Sequence, residues 1–175
     1  ATNRAPGLLR SNYSVLHTAL DLDDAAERAR RNAHKDSRKA DVPPIIATDH
    51  DPAAIEAAQK NARVAGVDHL ISFQLCDFAD TPIPDTRGDV ILNPEYGQRL
   101  GDAQSLAADY ARIGDFFKRK CAGWTGHVFT ASRDLAGRIG LKPARRTPFM
   151  NAQIECRLLS FDLYEGTKRP DIHTT

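Results

Sequence analysis

Four consecutive residues, 93–96, combine a polar acceptor, a rigid corner and an aromatic ring. They read Asn-Pro-Glu-Tyr and follow directly on the short apolar segment 89–92. The side-chain oxygen of Asn93 and the backbone carbonyl oxygen of Pro94 can both accept N–H bonds, which would hold the lone pair of an exocyclic amine towards an electrophile. Tyr96 could stack on the ring of a planar base. A strand that ends in a proline turn beside a packed tyrosine would need the same residue types, and so short a motif does not separate the two interpretations.

Acidic residues follow two earlier apolar segments of the chain. Asp49 comes after residues 45–48, and its carboxylate could accept both hydroxyls of a ribose. Asp77 comes after residues 70–75, where it could accept from an adenine amino group while Phe78 packs on the ring. Each residue alone would suit an ordinary turn at the end of a strand. Their order, one per successive strand before Asn93, favours a ligand site, because ligands of open α/β sheets bind at the carboxyl ends of the strands.

The elements that must position these residues alternate along the chain. Asp51 before Pro52 is typical of a helix N-cap, and Gly66 of the end of that helix. Beyond the start of the chain, the predicted elements are strands at 45–48, 70–75, 90–92 and 127–130, helices capped by Asp51, Asp102 and Ser132, and a hairpin of 147–150 with 156–164. This alternation predicts an α/β fold with a mostly parallel sheet, helices on both faces and a closing antiparallel hairpin.

Composition excludes several classes of function. The 175 residues suffice for one domain with a proper core. The net charge of +1 is too small to attract nucleic acid to the protein as a whole. The three cysteines are widely spaced, which indicates free thiols in a reducing compartment, and no histidine has zinc-ligand spacing. We therefore expect no metal site. No apolar run is long enough to span a bilayer and no signal-peptide pattern is present, so the sequence predicts a cytoplasmic protein without membrane contact.

A basic segment lies near the start of the chain. Residues 28–39 are dense in arginine and lysine, and we predict a helix there followed by a solvated loop. Such a run of charge is more often an exposed face than a binding surface. Contact with RNA is the functional alternative.

Motifs along nearly the whole chain carry a resemblance to a known family. They lie at 49–52 (Asp-His-Asp-Pro), 77–78 (Asp-Phe) and 93–101 (Asn-Pro-Glu-Tyr-Gly-Gln-Arg-Leu-Gly), with further similarity at 5–8, 140–143, 145–146 and 154–159. They resemble motifs of S-adenosylmethionine-dependent class I methyltransferases. More narrowly, the chain is similar to the catalytic domain of the THUMP-containing 23S ribosomal RNA guanine-N2 methyltransferases. The resemblance implies a Rossmann-like sheet with a C-terminal antiparallel hairpin.

The resemblance also implies a cofactor and the residues that would bind it. The cofactor would be S-adenosylmethionine, with Asp49 on its ribose and Asp77 on its adenine. His50 and Phe78, beside these two carboxylates, would complete the cofactor site.

The implied partner is ribosomal RNA, and the implied reaction is methyl transfer to the N2 amine of guanine. Asn93, Pro94 and Tyr96 would hold the target base, and the amine would attack the methyl carbon directly while the cofactor leaves as its neutral thioether. That reaction needs no covalent enzyme intermediate and no metal. Catalysis would depend on orientation and on acceptors for the developing ammonium.

Glu95 departs from the family pattern, which normally has a second proline at this position. Its carboxylate could accept from the Watson–Crick donors of guanine, which would favour guanine over adenine. It could instead pair with Arg99 and only shape the loop, and we favour this second interpretation.

The family's first motif, a strand followed by a glycine-rich turn near the methionine part of the cofactor, has no counterpart in the sequence. We therefore expect residues 1–165 to be a methyltransferase catalytic domain that lacks its first strand, and residues 166–175 to be a tail. A missing central strand would expose the edges of its neighbours, which could be covered by a homodimer.

Three alternatives stay open from the sequence. The Asn-Pro-x-Tyr corner would serve N6 transfer to adenine in DNA or RNA equally well, and N5 transfer to a glutamine of a protein uses the same corner. The third alternative is a non-catalytic remnant that has kept the sheet but no longer binds the cofactor.

Overall fold

The computed structural model describes residues 23–35, 42–95 and 103–164. They belong to two compact units, Ala1–Thr81 and Pro82–Thr175. Each unit carries its own sheet, and the two parallel strand pairs and the C-terminal antiparallel hairpin confirm the predicted α/β fold class.

The first unit contains a parallel pair of strands joined by a helix. Its elements are α1 (Asp23–Lys35), β1 (Ile45–Asp49), α2 (Pro52–Ala65) and β2 (Ile71–Leu75). The pairing runs from Ile45 opposite Ile71 to Asp49 opposite Leu75, so the carboxyl ends of β1 and β2 lie at the same edge.

Helix α2 begins and ends where its sequence predicts. The Asp51 side chain accepts from the backbone N–H of Ala53 at 2.8 Å, which satisfies one of the donors that the first turn leaves without a helical partner. Gly66 adopts the left-handed conformation at φ 65°, and its N–H donates to the carbonyls of Ala62 and Arg63. Asp51 is therefore a helix cap, as predicted.

The second unit contains a four-stranded sheet in the order β3-β4-β6-β5. Its elements are β3 (Asp89–Leu92), α3 (Ala103–Lys120), β4 (Thr125–Thr130), α4 (Arg133–Arg138), β5 (Arg145–Asn151) and β6 (Ile154–Asp162). Strands β3 and β4 are parallel, whereas β6 runs antiparallel to both β4 and β5.

Helix α3 covers one face of this sheet and forms the core of the second unit. The helical spacing predicts Leu106, Tyr110, Ile113 and Phe117 on one face. The last three are all at most 1% exposed, and Leu106 is half-buried. The Phe117 ring lies 5.8 Å from that of Phe161 on β6. A Cβ at Gly126 of β4 would come within 2.7 Å of the Phe117 ring, so the absence of a side chain there allows the helix to approach.

The structure refines several predicted boundaries. A short 3-10 turn, Asp68–Leu70, precedes β2. In the hairpin, β5 extends beyond the predicted 147–150 at both ends, whereas β6 begins and ends two residues earlier than the predicted 156–164. Ser132 caps α4 as expected, with its Oγ accepting from the N–H of Leu135 at 3.2 Å. The basic helix is confirmed as α1, whereas residues 36–41 and the predicted cap Asp102 lie outside the described residues.

The three cysteines are free, and Cys121 and Cys156 are buried. Within 23–35, 42–95 and 103–164, none of the helices has the length and apolar character of a membrane span. The same residues include no cluster of acidic, histidine or cysteine side chains suited to a metal ion.

Candidate functional site

The carboxyl edge of the β1–β2 pair presents the first predicted site residue, Asp49. It is the last residue of β1, and its Oδ1 accepts from the backbone N–H of Asp51 at 2.9 Å. Its side chain stays 43% exposed. The local fold thus holds the carboxylate in place and leaves it open to solvent, as an acceptor for hydroxyl groups must be.

The second predicted acidic residue lies at the same edge. The backbone N–H of Cys76 donates to the carbonyl of Asp49 at 3.0 Å, which continues the pairing past the end of β2 and brings Asp77 to the edge. Oδ1 of Asp77 accepts from the N–H of Ala79 at 2.9 Å and caps the short 3-10 turn Phe78–Asp80. The side chain therefore has a local structural role in addition to any ligand that it binds.

His50 and Phe78 differ in how they are presented. The His50 side chain is 85% exposed, and its Nδ1 lies 3.8 Å from Oδ1 of Asp49. Phe78 is half-buried in the turn after Asp77. The two carboxylates are thus fixed by backbone contacts, whereas His50 points mainly into solvent.

In the second unit, Asn93 and Pro94 come directly after β3. Leu92, the last residue of β3, pairs with Val128 of the parallel strand β4, so the corner follows at the carboxyl edge of the four-stranded sheet. Asn93 is exposed and Pro94 half-buried. An exposed amide beside a partly buried proline at this edge is a suitable acceptor pair for an amine.

The described part of the corner ends at Glu95. Glu95 is exposed at its end. Tyr96 and Arg99 lie outside the described residues, so stacking by Tyr96 and pairing of Glu95 with Arg99 stay predictions.

The structure also contains a basic cavity that the spacing of residues along the chain does not predict. It has a volume of about 570 Å³ and lies in the second unit, between α4, the loop that follows it and the sheet. Its lining includes Arg133, Lys142, Arg146 and Arg157. These cations lie on four different segments, and only the tertiary fold brings them together. The sequence shows that each residue is positively charged but not that they line one cavity.

A chain of hydrogen bonds crosses three strands on the sheet face opposite α3. Nε2 of His127 lies 3.0 Å from Oδ1 of Asp89, and its Nδ1 lies 3.0 Å from Oγ of Ser160. The residue types match a hydrolase triad, but Ser160 is only 5% exposed, so a substrate cannot reach its hydroxyl. We assign this chain of bonds to the stability of the sheet.

Comparison with known families agrees with this architecture. The profile of the RMKL-like methyltransferase domain matches residues 1–160. The chain belongs to this family.

Curated relatives are much longer than the chain. The ribosomal RNA large subunit methyltransferase K/L of Syntrophotalea carbinolica is 36% identical over 169 residues, which cover 92% of the chain and 23% of that protein. A protein of Synechocystis sp., provisionally named an RNA methyltransferase, is 38% identical over 93% of the chain and 42% of its own length. The chain therefore spans less than half the length of these relatives.

Solved structures share the fold. A possible methylase from Clostridium difficile is 30% identical, with a TM-score of 0.79 over 97% of the chain and 44% of that protein. A structure from Listeria monocytogenes, described as a predicted N6-adenine-specific DNA methylase, is 26% identical, with a TM-score of 0.76 over 91% of the chain and 40% of its own length. SMU.472, solved in complex with SAH, has the same TM-score of 0.79 at 24% identity over 96% of the chain and 44% of its own.

Proposed function

We propose that the chain is the catalytic part of an S-adenosylmethionine-dependent methyltransferase that acts on the N2 amine of guanine in ribosomal RNA. The observation that carries this proposal is the Asn93–Pro94 corner, which follows a parallel strand at the carboxyl edge of its sheet in a chain of the RMKL-like methyltransferase family. In this proposal residues 1–165 form the catalytic domain and residues 166–175 a tail.

The residues for the cofactor come from the first unit. Asp49 is fixed by a backbone N–H and has a solvent-exposed carboxylate, which suits the two hydroxyls of a ribose. Asp77 lies at the same edge, where its carboxylate suits the amino group of adenine. Phe78, the next residue, suits packing on the adenine ring. When bound, S-adenosylmethionine supplies an electrophilic methyl group on a positively charged sulfur.

The residues for the amine come from the second unit. The side-chain oxygen of Asn93 and the carbonyl of Pro94 would accept the two N–H bonds of the exocyclic amine, which leaves its lone pair free to attack an electrophilic methyl carbon. As the amine becomes positively charged, both acceptors stabilise it in place of water. The rigid ring of Pro94 limits the conformations of the corner, so less entropy is lost when the base binds.

Ribosomal RNA is the substrate that the relatives' names favour, since the Syntrophotalea protein is named a ribosomal RNA large subunit methyltransferase. Guanine N2 is the amine that the resemblance of the sequence implies. Adenine N6 is the second candidate, because the Listeria structure is described as an N6-adenine DNA methylase. The acceptor pair at the corner would serve either amine.

Binding of the cofactor is tested with two variants of equal charge change. Asp49→Asn removes the charged acceptor at the end of β1, whereas Asp51→Asn keeps a good helix cap. A hydrogen bond to a charged group contributes about 1.5–3 kcal/mol. We therefore expect Asp49→Asn to lower the affinity for S-adenosylmethionine at least tenfold in calorimetric titration. Asp51→Asn should bind as the unchanged chain does. Equal affinities of all three would remove Asp49 from the site, and no binding by the unchanged chain would favour the non-catalytic alternative.

Methyl transfer is tested with Asn93→Ala against Asn61→Ala, an exposed asparagine of α2. Labelled methyl groups are followed into unmodified ribosomal RNA, and the product is identified by mass spectrometry of the digested nucleosides. We expect N2-methylguanosine from the unchanged chain and from Asn61→Ala, and a loss of at least a hundredfold for Asn93→Ala. N6-methyladenosine would favour the second candidate instead.

The role of Glu95 is tested by replacing it with the proline that the family normally has. If Glu95 recognises guanine, Glu95→Pro should shift the ratio of guanine to adenine products. An unchanged ratio would leave Glu95 as a residue that only shapes the loop.

A further inference from the structure

The basic cavity of the second unit is built from several different elements. Arg133 comes from α4, Lys142 from the loop after it, Arg146 from β5 and Arg157 from β6. Each element fixes its backbone position independently, so the cations converge through the tertiary fold. A cavity of about 570 Å³ between them is larger than a single phosphate group needs.

The floor of the cavity is one face of the sheet. Thr130 is opposite Arg157 in the β4–β6 pairing, and Leu159 is opposite Arg146 in the β5–β6 pairing. Residues that are opposite each other in a sheet project to the same side, as do residues two apart along a strand. Arg146 and Arg157 therefore rise from the same face, with Leu159 between them, and Arg133 and Lys142 face them from α4 and its loop.

The lining carries an excess of positive charge. No carboxylate contributes to it among the residues that the structure describes. Arg157 pairs with Glu155, which lies outside the lining, whereas Arg133, Lys142 and Arg146 make no ion pair with any described residue. Gathering cations without balancing acids is unfavourable for folding alone, and it favours an anionic ligand.

The cavity lies at the same sheet edge as the Asn93–Pro94 corner. Leu92 pairs with Val128, and β4 ends at Thr130, which lines the cavity. The corner and the cavity are thus on neighbouring parallel strands of one sheet, at the ends where both strands stop. A polymer that places one base at the corner would carry its own phosphates past the end of β4.

We propose that this cavity binds the phosphodiester backbone of a nucleic acid strand, through Arg133, Lys142 and Arg146 as the main phosphate contacts. Such contacts set the position and register of the strand and carry no sequence information. The choice of a nucleic acid rests on the proposed function, which places a base at the corner, whereas binding of the strand in the cavity does not require methyl transfer.

The test measures binding of a labelled single-stranded RNA of about ten nucleotides by fluorescence anisotropy at several salt concentrations. Arg133→Gln, Lys142→Gln and Arg146→Gln are combined in one variant. Each contact with a single strand contributes a slope of about 0.7 in the logarithm of affinity against the logarithm of salt. For the triple variant, the magnitude of this slope should therefore be smaller by about 2, and the RNA should bind about 100-fold more weakly near 0.1 M salt.

The matched control removes the same charge from the same unit outside the cavity. Lys118→Gln, Arg119→Gln and Arg138→Gln change three exposed cations that do not line it. We expect this variant to keep most of the salt slope and affinity. An equal loss in both triple variants would show attraction by general charge and overturn the proposal, as would wild-type binding with no salt dependence.

A competition experiment distinguishes a nucleic acid ligand from a small phosphate ligand. Inorganic pyrophosphate competes with the labelled RNA, and the RNA should bind at least 100-fold more tightly than pyrophosphate does. Comparable affinities would assign the cavity to a small phosphate compound and overturn the proposal. Full methyl transfer by Asn93→Ala, or none by the unchanged chain, would overturn the proposed function. Salt-dependent RNA binding that is lost in the cavity variant would still support the cavity proposal, so the two proposals fail separately.

Discussion

Gly114 permits a close approach of α3 to the end of α4 in the second unit. It lies within α3, and a Cβ built on it would be 2.9 Å from the carbonyl carbon of Ile139 and closer still to the carbonyl oxygen. Both atoms belong to backbone, and the Ile139 side chain is only 1% exposed. Replacing Gly114 by alanine therefore requires α3 and the end of α4 to move apart.

Two opposing terms set the size of this effect. Alanine in place of glycine favours a helix by about 1 kcal/mol. Overpacking of a filled core costs about 1–3 kcal/mol and sometimes more, and contact with backbone allows little relief by a change of rotamer. We expect the clash to exceed the helical gain, so that Gly114→Ala lowers the free energy of unfolding by about 1–2 kcal/mol.

The matched control is Gly137→Ala in α4, where a Cβ would meet no atom within 4 Å. Only the helical gain remains there, so we expect the free energy of unfolding to rise by about 0.5–1 kcal/mol. Urea unfolding followed by circular dichroism should move the midpoints of the two variants in opposite directions at equal slope. A Gly114→Ala variant as stable as the unchanged chain would refute the close approach of α3 to Ile139.

Three further predictions concern stability. Ala152 has a φ of 54° in the turn of the hairpin, so Ala152→Gly should raise the unfolding midpoint by relieving about 0.5–1 kcal/mol of strain; an unchanged or lower midpoint would argue against this turn. Ser160→Ala removes a partner of the largely buried His127 ring and should cost about 1–3 kcal/mol in urea unfolding, whereas no change would contradict the bond. Burial raises the pKa of Cys121 from 9.0 to about 11, opposed by the charge of Lys120. The unfolded thiol ionises first, so stability should fall between about pH 9 and 11, and Cys121→Ala should lack that part of the fall.

Local signals allowed several elements to be predicted from the chain alone. Asp51, Pro52 and Gly66 defined α2 because a cap, a first-turn proline and a left-handed glycine act through their own backbone neighbours. The apolar spacing of α3 likewise identified its buried face, since every third or fourth residue projects to the same side of a helix. The predicted order of site residues, each just after a strand, needed only the rule that ligands bind at the carboxyl ends of parallel strands.

Other features depended on the pairing of distant strands. The bonds of His127 to Asp89 and Ser160 span 38 and 33 residues, and no spacing along the chain indicates them. Asp77, by contrast, caps a turn by accepting from the N–H of Ala79, a local role that the sequence indicated as the ordinary alternative to ligand binding.

The sequence by itself determined the family, the alternation of strands and helices, and the position of Asn93 and Pro94 directly after a strand, because each depends on residue types at short, fixed spacing. Only the tertiary structure decided that β6 lies between β4 and β5, and therefore that Arg146 and Arg157 rise from one face beside Arg133 and Lys142. The physical reason is that register along paired strands, which sets the side on which each residue projects, arises from contacts between segments far apart in the chain.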